Sequence, residues 1–381
     1  MIIRPIARTD LDALLQIAEE AGPGFTSLVA DRDLLAAKID HAITSFRRPV
    51  AAPGNESYLF VLEDARTGAI MGTTGIEARV GLNRPLYHYH CSQAPVPFPG
   101  QGRVGPVSAL TLCNHYTGCT EICTLFLRPQ YRRMHAGKLL SRVRFLFMAQ
   151  HPERFASTVI AEMRGVSSAQ GQSPFWDWFR EHLIDLDFAT VTSHVGAGHA
   201  ALIAERLPRH PLFCHLFSDG ARSVIGRVHP RTEPALALLQ AEGFRYRGYV
   251  DPFDAGPTVE AQLSSIRSVT DSTPCRVAIV EASTGRQRRQ TPDAPLTPDA
   301  PLLVANTSIR DFRATVSNQV IYQPDENCLL VPASLSLALG LRDGGTARFT
   351  ELTTRARAPS VTANRATSPV HNRSVKEPHY A

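Results

Sequence analysis

The sequence predicts an α+β fold, and three observations carry that expectation. Apolar residues at helical spacing alternate, along the first two thirds of the chain, with short apolar runs of strand length. Near residue 256 the composition changes and short strands take over. Residues 352–381 are rich in Ser, Thr, Pro, Arg and Ala, with too few large apolar side chains to offset the entropy of ordering them. The layout expected from 381 residues is therefore a helix-and-sheet domain over 1–256, a small β-rich, barrel-like module over 257–351 and a disordered tail over 352–381.

Each element has its own warrant. Residues 2–6 read as a strand. Leu11, Leu14, Leu15 and Ala18 share a helical face, with Thr9 placed to cap that helix and Gly22 to end it. A second helix over about 31–46 turns Leu34, Leu35, Ile39 and Ile43 inward. Residues 58–63 and 69–76 are strands joined by the turn DARTG, which makes a hairpin. Residues 81–110, dense in Gly and Pro, read as a long and partly irregular excursion. A strand over 123–127 follows, then a helix over 137–149 burying Leu139, Leu140, Val143, Leu146 and Phe147. Residues 159–163 are a buried strand, 173–183 and 198–207 helices, and 232–244 a helix ended by Gly243 that feeds a strand over 245–250. Beyond 256, short strands are expected at 275–281, 302–306, 313–316, 328–331 and 346–350. They are interrupted by a proline-rich insertion over 286–301, whose tandem TPDAPL repeat cannot join a sheet interior.

Bulk properties exclude several classes. Hydrophobic residues make up 43% of the chain, enough for a substantial core. No stretch approaches the roughly 20 apolar residues needed to span a bilayer, and Arg4 and Asp10 interrupt any leader-like run. No membrane association is expected. Seven scattered cysteines, an odd number in a long chain, point to reduced thiols and a cytoplasmic location. The net charge is +5, yet beyond residue 350 five cations (Arg355, Arg357, Arg365, Arg373 and Lys376) face only Glu351 and Glu377. The remainder is close to neutral and shows no basic stripe, so no nucleic-acid partner is expected.

The chemistry-bearing stretch is CTLFLRPQYRRMHAGKLLSR, residues 123–142. A strand ends at Pro129, Arg132 and Arg133 follow, and an amphipathic helix begins at Gly137. Helix N-termini offer unpaired N–H groups and partial positive charge, which suits a phosphate. A solvated basic turn ahead of an ordinary helix would read the same way.

The order strand, helix, helix, hairpin, strand, cationic turn, helix, strand, helix, strand resembles the GNAT fold of CoA-dependent N-acyltransferases, which implies a mixed twisted sheet flanked by helices. In that fold the turn has the pattern Arg/Gln-x-x-Gly-x-Gly/Ala. Arg132 and Gly137 match its ends, and His135 stands where the first glycine is expected. The blocks TLCNHYTGCTEICTLFLRPQYRR, VIAEMRGVSSAQGQSPFWDWF, ERLPRHPLFCHLF, VIGRVHP and AEGFRYRGYVDPFDAGPTVEA are together similar to the arginine N-succinyltransferase family, over roughly residues 1–350. The chain departs from that family's pattern at His115, where an acidic residue is expected, at His135, in the proline-rich insertion and in the tail.

The resemblance implies transfer of succinyl from succinyl-CoA to the α-amino group of L-arginine in arginine catabolism, by direct attack of the amine. It implies that the main chain of Leu125 faces the acyl group, that Arg132, Arg133 and Gly137 hold the CoA diphosphate, and that His229 donates a proton. Histidine suits that role because it titrates near pH 6.5; a histidine merely capping the helix after Pro230 is the bland alternative. The substrate's charges need complements: Glu162, Asp251 and Asp254 for the guanidinium, Arg164 or Arg227 for the succinyl carboxylate. Each of these could equally be a surface charge or a structural pair. The spacing of Cys113, Cys119 and Cys123 beside His115 is not a zinc spacing, so no metal is expected. Ornithine or another basic amine as acceptor, and a catalytically weakened partner subunit, remain open. A homo-oligomer, or a hetero-oligomer with a paralogous subunit, is expected.

Overall fold

The computed structural model describes residues 1–22, 24–95, 106–132, 135–168, 170–281 and 300–352. Arg133, most of the proline-rich insertion and the tail from 353 onward lie outside the described residues. Leu352, expected in the tail, is instead buried, with its N–H donating to the Pro301 carbonyl.

β1 (Ile2–Pro5) leads through a short turn into α1 (Leu11–Ala21) and α2 (Arg32–Arg47). Asp31 starts α2 by accepting from the N–H groups of Asp33 and Leu34. Thr9 does not cap α1. Asp10 holds that position, but its carboxylate turns back to Arg4 at 2.7 Å and to the Ala7 N–H at 2.8 Å. Leu34 is 40% exposed, so α2 buries Leu35 and Ile39 without it. β2 (Ser57–Glu63) and β3 (Ile70–Glu77) form the expected hairpin. The stretch read as irregular holds a second hairpin, β4 (His88–Pro95) with β5 (Pro106–Cys113). The period-two alternation of Tyr87, His88, Tyr89 and His90 reads as one strand, and β4 bears that out, while Gly and Pro clustered before and between the strands hid the pairing with β5.

Next come β6 (Thr120–Leu127), α3 (Ala136–Gln150) and β7 (Thr158–Glu162). A helical excursion follows: α4 (Pro174–His182), α5 (Phe188–His194), α6 (Ala200–Ala204), the edge strand β8 (Leu212–Phe213) and α7 (Asp219–Val224). The helix expected over 198–207 is short because Gly198 takes a φ of +85°. α8 (Glu233–Ala241), β9 (Arg245–Val250) and β10 (Pro257–Gln262) complete the first unit. β10 lies between β7 and β9, so the composition change at 256 falls inside the sheet rather than at its border. After α9 (Arg267–Thr270) come β11 (Thr273–Val280), β12 (Leu302–Asn306), β13 (Ala314–Ser317), β14 (Ile321–Gln323), β15 (Cys328–Pro332), α10 (Ala333–Leu339) and β16 (Thr346–Glu351).

The strands run in the order β14-β15-β11-β16-β12-β13-β1-β2-β3-β6-β7-β10-β9-β4-β5-β8. The stretch β1-β2-β3-β6-β7-β10-β9 is the GNAT-like sheet, and the C-terminal strands extend it through the pairing of Ile3 with Ala314. One face buries α3 against Tyr58, Phe60, Ile76, Ile122, Val159 and Val259. The other face receives α1 and α2 against Leu59, Val61 and Phe126. The hairpin β4–β5 is covered by aromatic residues of α4, with Tyr89, Phe175, Trp176 and Phe179 fully buried.

Two irregularities open the middle of this sheet. Opposite β3, the register jumps between Gly72–Thr73 and Gly75, so Thr124 and Leu125 together face Thr74: a β-bulge, with Thr124 at a φ of +56°. The bulge reverses the alternation, so that Ile122, Leu125 and Leu127 all pack toward α3. β6 and β7 are parallel and pair only through Thr120–Val159 and Glu121–Ile160, then diverge.

Candidate active site

The cationic turn leaves β6 just beyond this divergence. Arg128 is anchored on α1, donating to Glu20 at 2.6 Å. Pro129–Tyr131 makes a 3-10 turn, after which Arg132 is exposed. His135 stands at the N-cap of α3 with φ +73° and ψ −16°. The glycine of the pattern belongs at a left-handed position, and histidine is among the side chains that tolerate one. His135 itself therefore takes the backbone conformation that a glycine would take there. Space beside Gly137 is open, since a Cβ added there would meet nothing within 4 Å. The helix starts at Ala136 and leaves its first N–H groups free of helical partners, as any helix does.

His229 arrives from the far side of the divergence. Its N–H donates to the Arg164 carbonyl at 2.8 Å, beside a bridge between Gly165 and Val228 that prolongs the line of β7. Gly165 is needed there, because a Cβ would meet the Asp254 carbonyl at 2.3 Å. The imidazole Nδ1 accepts from the Arg231 N–H at 3.1 Å, which places the proton of the neutral ring on Nε2. Burial lowers its pKa below the ordinary histidine value, and the Arg164 and Arg231 cations add to that.

The acceptor-side candidates divide. Glu162 closes β7 with its carboxylate 2.8 Å from Nε2 of the fully buried His88. Asp251 accepts from the N–H groups of Phe253 and Asp254 through one oxygen; burial, then Asp254 and Glu162, hold its carboxyl well above the usual range. Asp254 is structural, since its two oxygens take the N–H groups of Gly256 and Gly165, each at 2.7 Å. Arg164 reaches Ser167 at 3.1 Å and lies against Gly24 in the α1–α2 loop, with a buried Nε that has no hydrogen-bond partner. Arg227 is exposed. Cys123 is no nucleophile: burial, with Glu77 and Glu121 behind it, pushes its thiol up to about 12. No group of three or more His, Cys, Asp or Glu side chains that could hold a metal occurs among the described residues. His115, where an acid was expected, is exposed and bonded through Nδ1 to the Tyr249 hydroxyl at 3.0 Å.

Sequence reading missed Glu121, the last residue of β6 paired with β7. Its signal was present, because a carboxylate interrupts an otherwise apolar strand, ICTLFL following it directly.

A family model described as arginine N-succinyltransferase beta subunit matches residues 1–268. The arginine N-succinyltransferase of Yersinia pseudotuberculosis strain YPIII is 40% identical over 353 residues, which cover 92% of this chain and 98% of that one. The chain belongs to the arginine N-succinyltransferase family. The enzyme of that name from Shigella sonnei is 38% identical over the same share of both chains. The solved structure of arginine/ornithine succinyltransferase subunit AI from Pseudomonas aeruginosa matches with a TM-score of 0.80 and 31% identity, covering 93% of this chain and 99% of that one. Like the rest of the arginine N-succinyltransferase family, the chain is an acyltransferase. No helix among the described residues is long and apolar enough to cross a membrane.

Proposed function

We propose that the protein transfers succinyl from succinyl-CoA to the α-amino group of L-arginine, as a step of arginine breakdown in the cytoplasm. The observation that carries the reading is the bulge at Thr124–Leu125 where β6 and β7 part, with the start of α3 on one side and His229 on the other. The N–H of Leu125 supplies the donor for the carbonyl oxygen as it gains negative charge. The first turn of α3 at Gly137 receives the diphosphate, and Arg132 and Arg133 add positive charge there. The ammonium gives one proton to solvent and the amine attacks the thioester carbon, its nitrogen releasing a second proton to solvent as the tetrahedral adduct collapses. The C–S bond then breaks, and His229 gives a proton to the departing thiolate. Glu162 and Asp251 face the cationic end of arginine, while Arg164, with its unmet buried donor, faces the succinyl carboxylate.

Seven unpaired cysteines support a reducing compartment. The Pseudomonas relative is titled a subunit, which supports an assembly of like or paralogous chains; light scattering of the purified protein tests it. The decisive assay is free-thiol release with succinyl-CoA and arginine. Release is expected, and none with any basic amino acid overturns the proposal.

A further inference from the structure

The α2 face of the sheet carries a row of carboxylates, of which the reading above uses Glu162 alone. Glu77 is opposite Glu121 in register, Glu121 is paired with Ile160, Ile160 with Glu260, and Glu162 with Thr258. Partnered residues point the same way, as do residues two apart on one strand, so Glu77, Glu121, Glu162, Thr258 and Glu260 share a face. It is the face opposite α3, because the intervening Ile122, Val159, Ala161 and Val259 pack on that helix.

The outer acids of this row have partners. Glu77 pairs with Lys38 at 3.2 Å, and Glu260 accepts from the Tyr116 hydroxyl at 2.5 Å. The inner acids do not. Glu121 makes no ion pair or side-chain hydrogen bond among the described residues, and Glu162 meets only His88. Burial, then the charges of Glu162 and Glu77, hold the Glu121 carboxyl well above the carboxylate range. An independent sign of a missing ligand lies beside them. Thr258 is fully buried, directly across from Glu162, and its Oγ1 has no hydrogen-bond partner; Nδ1 of the fully buried His88 has none either. A buried polar group without a partner calls for an explanation, and a bound ligand or water is one.

The spacing speaks for the chemistry of the occupant. No three of these groups are placed to hold a metal ion, whereas a guanidinium spreads five N–H donors over a plane and accepts nothing.

We propose that Glu121, with Glu162 and the hydroxyl of Thr258, is the seat of the acceptor's guanidinium, and that Glu121 selects a cationic acceptor over a neutral one. The assignment rests on the acyl-transfer reading above. It is tested with arginine against citrulline, which replaces the guanidinium by a neutral urea of the same shape. Glu121→Gln should lower kcat/KM for arginine by roughly 10²-fold while leaving citrulline and the KM for succinyl-CoA unchanged. Thr258→Val, the milder variant, should act in the same direction by roughly tenfold. Calorimetric binding of arginine and citrulline to the same proteins reads the seat even where no thiol is released. Wild-type protein that binds arginine without turnover therefore supports the seat and overturns the reaction. Equal losses for both acceptors, or no loss for either, overturn the seat.

Discussion

His135 shows how a single residue can contradict a motif and preserve its geometry. At φ +73° a side chain is strained by roughly 1 kcal/mol, and glycine would relieve it. His135→Gly should therefore bind CoA at least as tightly as the parent, and His135→Val, whose β-branch suits that region worst, should bind it more weakly; calorimetry with CoA checks both. At His229 the expectation is kinetic. His229→Ala should lower turnover by about 10²–10⁴ while CoA affinity survives. Because Arg231 lowers the His229 pKa, removing that charge raises it. The limb on which kcat/KM falls as the imidazolium is lost should then move to higher pH in Arg231→Gln; an unmoved limb would assign the titration to another group. Legibility at this scale was uneven. His229, Leu125 and Gly137 could be singled out because family blocks surround them, and their roles stay a proposal. Glu121 carried a signal as a carboxylate in an apolar strand, but that it and Thr258 lack partners was not legible, because partners across a sheet have no signature along the chain.

Among the elements, α3 is the most informative. Its apolar spacing made it legible, ends included to within one residue, but not what its last turn packs against. At the C-terminus, His151 is buried against Phe147, and burial pushes its pKa down to about 4. In the unfolded chain it titrates near 6.5. The native state thus binds fewer protons between those values. The stability this histidine contributes is complete above about pH 6.5 and is lost as pH falls toward 4. Thermal melts of His151→Phe should lose less stability than the parent between pH 7 and 5, by on the order of 2 kcal/mol. The hairpin β4–β5 was hidden for a different reason. Turn residues outnumber strand residues over 81–110, and only tertiary cover by the α4 aromatics decides the outcome.

Across the whole molecule, the GNAT-like order of strands was legible from the succession of elements, whereas the attachment of the C-terminal strands was not. They are held by β13 against β1, by Phe312 packed on Phe60 and Phe147, by Arg348 bonded to Gln150, and by Arg142 of α3. Its Nε donates to Glu242 at 2.7 Å and Ser268 at 2.9 Å, and its Nη1 donates to the carbonyls of Glu351 and Leu352. Arg142→Ala should cost about 3–5 kcal/mol in denaturant melts, because it strands a buried Glu242. Deletion of residues 353–381 should leave both melting and activity as they are; a deletion that also takes Leu352 should not, since that residue is in the core.

The parting of β6 from β7 makes the centre of the sheet a passage instead of a wall. The acid-lined face, where the acceptor is proposed to sit, lies toward α2, while α3, where the nucleotide is proposed to rest, sits behind. Each reactant then has its own doorway, and neither has to wait for the other to leave. Spent CoA should accordingly rival succinyl-CoA for its doorway yet leave arginine free to enter.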